Sequence, residues 1–284
     1  MNGVLVTGVG GPAGRAVVDQ LVDRGLRVLG VDCAPVGIPG VVTTRVPAAT
    51  DPAFLVELAR LAVRQRIGLI IPTVTEELPP LADAVAGDLI DVPVAVGSAL
   101  AVATAHDKWA TFLRLWDSNV EVPRSCLGGS TSAVLSGTTG AEFVSKPRVG
   151  RGGRGVVVHR PGGVPVPFGN DDSRIVQEFL PGQEYVVNLY LARLPEHDVV
   201  QVFEKTELRD GEIGNAVSVR AAQVPDVAVL ARTAAAAIGL AGPADVDIRR
   251  RADGRAAVLE INARVGAHSA RTPAVLDALL AEFT

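Results

Sequence analysis

Apolar residues follow two different periods along the first hundred residues of the chain. Some form short uninterrupted runs with the length of buried strands. Others recur every three or four positions, as on one face of a helix. The strand-length runs are Val4–Thr7, Arg27–Val31, Gly68–Pro72 and Val92–Val96. The helical segments are Arg15–Arg24, Pro52–Gln65 and Leu78–Ala86. Because strands and helices alternate, residues 1–97 are predicted to form a Rossmann-like, doubly wound parallel sheet.

The alternation ends after residue 97, and two further regions are predicted. Residues 98–173 contain two helical segments, two strands and a turn, which are Ala105–Trp116, Ser130–Gly140, Glu142–Lys146, Gly155–His159 and Pro161–Asn170. Residues 174–284 contain three strands, a helix and a hairpin, which are Ile175–Phe179, Glu184–Leu191, Val199–Glu204, Val227–Ile238, and Asp245–Arg251 with Ala256–Ile261. The predicted fold class is therefore α/β, with an α+β arrangement in the C-terminal part.

A glycine loop, Gly8–Gly14, follows the first strand and opens a helix. Asp32 ends the second strand, where dinucleotide-binding folds carry a ribose-binding acid. This favours an NAD(P)-dependent reductase, but the chain has no Tyr-x-x-x-Lys pair, since its only tyrosines are Tyr185 and Tyr190. A tight glycine turn is also needed structurally in any such domain. The loop, including Gly11, is expected to bind an anion at the helix N-terminus.

A second glycine loop, Gly150–Gly155, lies between two predicted strands. Backbone N–H groups of such a hairpin, here at Gly152, Gly153 and Arg154, can cover a phosphate chain. Lys146 at the base of the loop can pair with phosphate oxygens. An ordinary glycine-rich turn is the alternative. The pattern indicates nucleotide binding without a Walker A motif.

The C-terminal hairpin gathers acidic side chains on one face. If Asp253-Gly254 forms a two-residue turn, Asp247 faces Glu260 and Asp245 faces Asn262. The other face then carries Val246, Ile248, Leu259 and Ile261. Opposed carboxylates repel unless a cation lies between them, and carboxylate and amide oxygens suit Mg²⁺. We therefore predict a magnesium site rather than a solvated strand face. Arg264 continues this face and can meet a phosphoryl group or a substrate carboxylate.

The segment Gln177–Tyr185 lies between the glycine loop and the hairpin. A buried strand that enters a Pro-Gly turn and re-emerges with an acid suits an adenosine pocket. Gln177, with the backbone around Glu178, Phe179 and Leu180, is expected at the adenine edge, and Glu184 at the ribose.

Taken in order, these motifs resemble the ATP-grasp superfamily, in its branch of carbamoyl-phosphate synthase large-subunit-like carboxylate–amine ligases. The matching segments are His106–Lys108, Val122-Pro123, Ser145–Pro147, Gly150–Gly155, Gln177–Tyr185, Asp245–Asp247 and Leu259–Arg264. The resemblance implies an N-terminal pre-ATP-grasp domain at 1–97, a small lid subdomain at 98–173 and a C-terminal subdomain with the metal site at 174–284.

The resemblance also implies roles for single residues. Lys108 and Lys146 contact ATP phosphates, and Asp247, Glu260 and Asn262 hold two Mg²⁺ ions. A substrate carboxylate attacks the γ-phosphate of ATP to give an acyl phosphate, which an amine then converts to an amide. Two departures stand out. Asp247 replaces the Glu or Gln of many relatives, and the sequence continues only about twenty residues beyond Arg264, so a second subunit in a homodimer is one way to complete the acceptor site.

Other residues are candidates for the substrate side. Thr73 and Glu76 follow an N-terminal strand at the sheet edge where ligands bind, although Glu76 alternatively caps the next helix. Arg220, in a predicted strand, is a candidate catalytic residue beside Lys146 and Arg264, with a surface role as its alternative. His268 follows the metal strand.

Composition limits the classes of partner that can be expected. A net charge of −4 argues against nucleic acid as a general partner, and no apolar run reaches the length of a membrane span. Two cysteines give no disulfide framework, which favours a reducing, cytoplasmic location. The expected partners are therefore a small-molecule carboxylate and an amine. A non-catalytic, regulatory ATP-binding protein remains the alternative to a biosynthetic ligase.

The lysines form an unusual subset. Among 27 basic residues, only Lys108, Lys146 and Lys205 are lysines. Two of them lie where the resemblance places phosphate contacts, and a compact ammonium fits between phosphate oxygens better than a guanidinium. By the same argument, Lys205 is predicted to face the nucleotide or the acyl phosphate.

Overall fold

The computed structural model describes residues 3–128, 142–161, 172–209 and 211–283. The predicted surface helix Ser130–Gly140 lies outside the described residues, as does nearly all of the predicted turn Pro161–Asn170. Within the described ranges, none of the helices combines the length and the apolar character needed to traverse a lipid bilayer.

The N-terminal region is a four-stranded parallel sheet, as predicted. Its strands are β1 (Gly3–Thr7), β2 (Val28–Asp32), β3 (Val42–Arg45) and β4 (Ile67–Ile71), in the order β3-β2-β1-β4. Its helices are α1 (Pro12–Asp23), α2 (Phe54–Arg64) and α3 (Leu78–Ala86). The carboxyl ends of β1 and β4 meet at one edge, so the first glycine loop and Thr73 lie together there.

Two strands of this region differ from the prediction. Strand β3 was not predicted because this edge strand is largely exposed and therefore lacks an apolar pattern. The predicted strand Val92–Val96 is reduced to one bridge between Ile70 and Val94. Pro93 has no N–H to donate, which limits the ladder at this point.

The single helix predicted at Ala105–Trp116 is two helices, α4 (Ala99–His106) and α5 (Lys108–Asp117). Between them Asp107 has extended backbone angles of −104° and 112°, and its side chain accepts the N–H of Trp109 at 2.9 Å. This is the geometry of an N-cap. The break places Lys108 at the first position of α5.

The middle region contains an antiparallel sheet of β5 (Ser125–Leu127), β6 (Phe143–Pro147), β7 (Val157–His159) and β8 (Arg174–Glu178), in the order β5-β8-β6-β7. Strand β8 pairs with both β5 and β6. The predicted boundary between residues 173 and 174 lies immediately before β8, so this strand of the middle sheet falls in the third predicted region.

The C-terminal region contains a five-stranded antiparallel sheet. Its strands are β9 (Glu184–Leu191), β10 (Val199–Leu208), β11 (Ala216–Ala221), β12 (Gly242–Arg250) and β13 (Ala256–Asn262), in the order β11-β10-β9-β12-β13. Helices α4, α5 and α6 (Pro225–Ala237) cover one face, where apolar residues such as Val187, Val246 and Ala231 form a core. The other face carries the polar side chains of the cleft together with a small buried cluster of Val186, Phe203 and Val219.

The last helix, α7 (Pro273–Glu282), packs on the N-terminal region. Its Val275, Leu276 and Leu279 share a buried cluster with Val17 and Leu21 of α1. The first and third regions are thus joined through a common core.

The hairpin of β12 and β13 has the predicted register at its functional end but not at its turn. Asp247 faces Glu260 and Asp245 faces Asn262, as predicted. Near the turn, however, Arg250 faces Ala256, so the loop is longer than the two residues assumed. A bulge between Asp247 and Ile248 compensates for the longer loop, so the pairing beyond the bulge is the predicted one. As a result Val258 enters the core, whereas Leu259, predicted on the core face, lines the cleft.

Candidate active site

A cleft of about 1230 Å³ lies between the three sheets and is lined by residues of all three regions. Among the predicted site residues, the lining includes Gly11, Thr73, Glu76, Lys108, Lys146, Gly152, Gly153, Arg154, Gln177, Glu178, Phe179, Leu180, Glu184, Lys205, Asp247, Glu260, Asn262, Arg264 and His268. Arg220 is not among them. It lies on β11 with an exposed side chain, where its guanidinium binds Glu204 at 2.7 Å. The structure therefore places Arg220 in its alternative, surface position.

Two buried lysines stand at the base of the second glycine loop. Lys108 Nζ donates to the Gly150 carbonyl at 2.7 Å and lies 3.4 Å from Glu260 Oε1. Lys146 Nζ donates to the carbonyl of Leu259 at 3.2 Å, next to the bulge of β13. Burial lowers the pKa of Lys146 to about 8, with Glu260 opposing the shift and Lys108 adding to it. Phosphate oxygens entering here would meet two ammonium groups that have few protein partners.

The glycine loop is seated against two other elements. Arg151 Nε binds Glu76 Oε1 of the N-terminal region at 2.7 Å. At Gly153, with φ of +72°, a Cβ atom would lie 2.8 Å from Gly214 Cα, so only glycine fits this approach. Glu76 makes no side-chain capping bond to α3, so its predicted alternative role as a helix cap is not seen. The Arg151–Glu76 pair instead links the loop to the opposite wall of the cleft.

Replacing Arg151 with methionine removes this link. Because both side chains are partly exposed, we expect unfolding free energy to change by less than about 1 kcal/mol. Weaker closure is expected to raise KM for ATP by about two- to fivefold, with less effect at high salt. Steady-state kinetics measure this, with Arg60→Met, which breaks the exposed Arg60–Glu57 pair on α2, as the control. An unchanged KM at low salt would show that the pair has no part in closure.

The lining includes apolar residues beside the segment predicted to bind adenine. Phe179, Leu180, Leu259, Val144 and Val186 all line the cleft. The Glu178 carboxylate is held by Arg251 at 2.6 Å. Although burial opposes it, this hydrogen bond and the Arg124 backbone N–H keep the pKa of Glu178 below its ordinary value. The Glu178 side chain is thus engaged by Arg251, and its backbone N–H donates to the Arg124 carbonyl at 2.9 Å. The adenine-binding role of this segment stays a prediction.

Lys205 lies between two carboxylates. Its Nζ is 2.6 Å from Glu184 Oε1 and 2.6 Å from Asp247 Oδ1. Although burial lowers the pKa of Lys205, the Asp247 and Glu184 charges raise it above its ordinary value. Arg249 also reaches Glu184, at 3.4 Å, and its guanidinium lies over the Phe179 ring. Lys205 therefore joins the predicted ribose and metal residues, and Arg249 is a site residue that the sequence did not reveal.

The predicted metal ligands Asp247, Glu260 and Asn262 face the cleft together. Among the described residues, no cluster of three or more His, Cys, Asp or Glu side chains could hold an ion on its own. The candidate set is two carboxylates and an amide. Asn262 Nδ2 points to the Asp245 carbonyl at 3.5 Å, which leaves its oxygen for the cleft. These donors fit Mg²⁺, which takes few protein ligands and completes its shell with phosphate oxygens and water.

Asp245 anchors the far end of this strand face. Its carboxylate accepts from Arg264 Nη1 at 3.0 Å and from Asn188 Nδ2 at 3.3 Å. Burial raises the pKa of Asp245, and Arg264 opposes this shift. A Cβ atom at Gly266 would lie 2.6 Å from the Asn188 amide and 2.7 Å from Asp245 Oδ2, so a glycine is required here. Asp245 thus positions Arg264, with His268 beside it in the lining.

The first glycine loop is bound by Asp32, the acidic residue at the end of β2. Gly10 donates its N–H to Asp32 Oδ2 at 2.9 Å. Asp32 also accepts the N–H of Ala34 at 3.0 Å. One oxygen of Asp32 therefore binds the glycine loop and the other binds the turn that follows β2, which weakens its assignment as a ribose-binding acid of a reductase.

A model of the ATP-grasp domain matches residues 105–268, more than half of the chain. The chain belongs to the ATP-grasp family. The prediction of an ATP-grasp fold preceded by a parallel-sheet domain is confirmed.

Solved structures resemble this ATP-grasp chain over almost its whole length. An L-amino acid ligase from Bacillus licheniformis is 18% identical, with a TM-score of 0.70 over 95% of this chain and 69% of that one. N5-carboxyaminoimidazole ribonucleotide synthetase from Thermotoga maritima is 16% identical, with a TM-score of 0.66 over 93% and 69%. The biotin carboxylase domain dimer of Hydrogenobacter thermophilus 2-oxoglutarate carboxylase, solved with MgADP, ADP and bicarbonate, is 11% identical, with a TM-score of 0.70 over 98% and 69%. A search of curated protein sequences found no match. At these identities the likeness establishes the fold.

Proposed function

We propose that this ATP-grasp protein is an ATP-dependent ligase that activates a small carboxylate as an acyl phosphate and joins it to an amine. The observation that carries the proposal is the arrangement at the hairpin. Asp247 and Glu260 face each other, and Lys205 and Lys108 bind them on the cleft side. Such a set of fixed positive and negative charges suits a chain of phosphates with a divalent cation.

Each group has a proposed task. Asp247, Glu260 and Asn262 hold Mg²⁺, two ions by the family resemblance, which neutralises phosphate charge. Lys108, Lys146 and the loop at Gly152–Arg154 position the phosphates. The apolar pocket near Leu180 takes the adenine, and Glu184 takes the ribose. Arg264 and His268, at the far end of the strand face, receive the substrate carboxylate.

The reaction then has two steps. A carboxylate oxygen attacks the γ-phosphorus, the bond to ADP breaks, and an acyl phosphate forms. The amine nitrogen attacks the acyl carbon, and phosphate leaves. The side chains contribute positioning and charge neutralisation, so no serine or cysteine nucleophile is required.

The test is ADP release from MgATP across a panel of amino acids and small carboxylic acids, offered alone and with amines, with mass spectrometry of the products. Release that depends on both partners, with an amide of the expected mass, supports the ligase. No release with any carboxylate favours the regulatory ATP-binding alternative. Thermal stabilisation by NADPH but not by MgATP would instead favour the reductase.

Glu260→Ala tests the metal assignment. Removing a carboxylate that faces Asp247 is expected to raise the Mg²⁺ concentration for half-maximal ADP release at least about tenfold. Magnesium titrations at saturating ATP measure this. Glu57→Ala, an exposed carboxylate on α2, is the control. Undiminished turnover with an unchanged magnesium requirement would mean that Glu260 is not a ligand.

A further inference from the structure

Glu77 is a buried carboxyl group in the N-terminal wall of the cleft, next to Glu76 in the chain. It lies just before α3, and one of its oxygens, Oε2, accepts the hydroxyl proton of Thr7 at the end of β1. Thr7 Oγ1 also accepts the N–H of Thr73 at 3.2 Å, so its own proton is free to point to the Glu77 carboxylate.

The second oxygen of Glu77 is available to a ligand. Among the described residues, no hydrogen bond reaches Oε1, and Glu77 lines the cleft. A carboxyl group held by one oxygen and open at the other is oriented for exchange with a group in the cleft. A purely structural acid would be expected to use both oxygens in the protein.

The surroundings of Glu77 shift its pKa so that the carboxyl group exchanges protons near neutral pH. Burial raises the pKa of Glu77 to about 7, and the nearby charges of Asp32 and Glu76 add to the shift. The Thr7 hydroxyl and Arg151 oppose it. The charged groups that face Glu77 are thus Asp32 at the end of β2, Glu76 of its own segment and Arg151 of the second glycine loop.

Glu77 also lies near the site of phosphoryl transfer. Its neighbour Glu76 binds Arg151 of the glycine loop at 2.7 Å, which brings this wall against the loop proposed to cover the phosphates. The wall carries three acids, Asp32, Glu76 and Glu77, one of which pairs with Arg151. The opposite side mixes cations such as Lys146 and Arg264 with acids such as Asp247 and Glu260. The acids of the first wall favour an ammonium group beside Glu77.

We propose that Glu77 is a catalytic residue that takes the proton from the ammonium group of the acceptor amine. This rests on the ligase function proposed above. The ammonium transfers one proton to the Glu77 carboxylate, and the nitrogen lone pair is freed. The C–N bond forms as the bond between the acyl carbon and the phosphate oxygen breaks. The second nitrogen proton leaves with the phosphate, and Glu77 returns its proton to solvent.

Glu77→Gln keeps the bond from Thr7 but cannot take a proton. The acceptors compared are hydroxylamine, whose nitrogen is mostly unprotonated at neutral pH, and the amino acid that gives the most amide in the screen. We expect kcat/KM for the amino acid to fall about 10²-fold or more. Hydroxamate formation from hydroxylamine should change less than about threefold.

The pH profile supplies a second readout. In the native protein kcat/KM for the amino acid should fall as the pH drops through about 7, and this limb should be lost in Glu77→Gln. Asp83→Asn, an exposed acid on α3, is the control. Equal losses with both acceptors, or an unchanged profile, would overturn the role of Glu77. If the native protein forms no hydroxamate with any carboxylate, the ligase function itself fails.

Discussion

Lys205→Met is expected to lower the free energy of unfolding by about 3–5 kcal/mol, because it removes the buried cation shared by Glu184 and Asp247. Glu184 keeps a second partner in Arg249, at 3.4 Å, but Asp247 loses its ion pair. A divalent cation can replace that charge. We therefore expect MgADP to stabilise the variant more than the native protein. Urea unfolding with and without MgADP measures both effects.

A double-mutant cycle with Glu184→Gln separates this effect from lost packing. Adding Glu184→Gln to Lys205→Met should cost less than in the native protein, by about 1–3 kcal/mol, because the pair has already been broken. Arg60→Met, at an exposed pair, should cost less than about 1 kcal/mol. A loss in Lys205→Met no larger than in Arg60→Met would show that Lys205 does not neutralise the site.

Lys146→Met is expected to lower turnover by about 10²- to 10³-fold, the usual loss when one preorganised charge at a reacting centre is removed. The same substitution should raise the free energy of unfolding. Burial lowers the pKa of Lys146 to about 8 from 10.5, so the fold disfavours the charged form at neutral pH. The free energy of unfolding of the variant at pH 7 is therefore expected to be higher by up to about 3 kcal/mol. It should accordingly unfold at a higher denaturant concentration.

The pH dependence checks the sign. Between about pH 8 and 10.5 the folded native protein has released a proton that the unfolded chain still binds, so its stability rises with pH across this window. The advantage of Lys146→Met should shrink over the same range. ATP binding to the native protein should take up protons near pH 8, which calorimetry in two buffers detects. A variant that is less stable than the native protein at pH 7 would contradict this account.

The lysines show how much of the site could be predicted from the composition. The scarcity of lysine pointed to three positions, and all three lie in one cleft. The pKa of Lys205 is raised and that of Lys146 is lowered, and these opposite shifts could not be predicted from the sequence. Lys205 is 2.6 Å from Glu184, which lies 21 positions away, whereas Lys146 meets a backbone carbonyl 113 positions away. Such partners are determined by the tertiary fold rather than by the local sequence.

The hairpin marks a second limit. The assumed two-residue turn led to the correct pairing of Asp247 with Glu260 because the longer loop and the bulge offset each other. Alternation of polar and apolar residues placed Leu259 in the core, since a bulge leaves no trace in a two-residue period. The bulge matters to the site because the adjoining Leu259 carbonyl accepts from Lys146. Asp245, Arg249 and Glu77 were missed as site residues for a related reason, since their contacts come from distant strands and loops.

The shared core of α1 and α7 has a consequence for synthesis on the ribosome. Domains generally fold from the N-terminus as they emerge. Here the cluster around Val17 and Leu21 also contains Tyr190 and Val265, and the last residues to join it are Val275, Leu276 and Leu279. The parallel sheet would therefore emerge early with an uncovered apolar surface and wait for nearly the whole chain before closing it. Nascent chains of this protein should thus be long-lived clients of ribosome-associated chaperones.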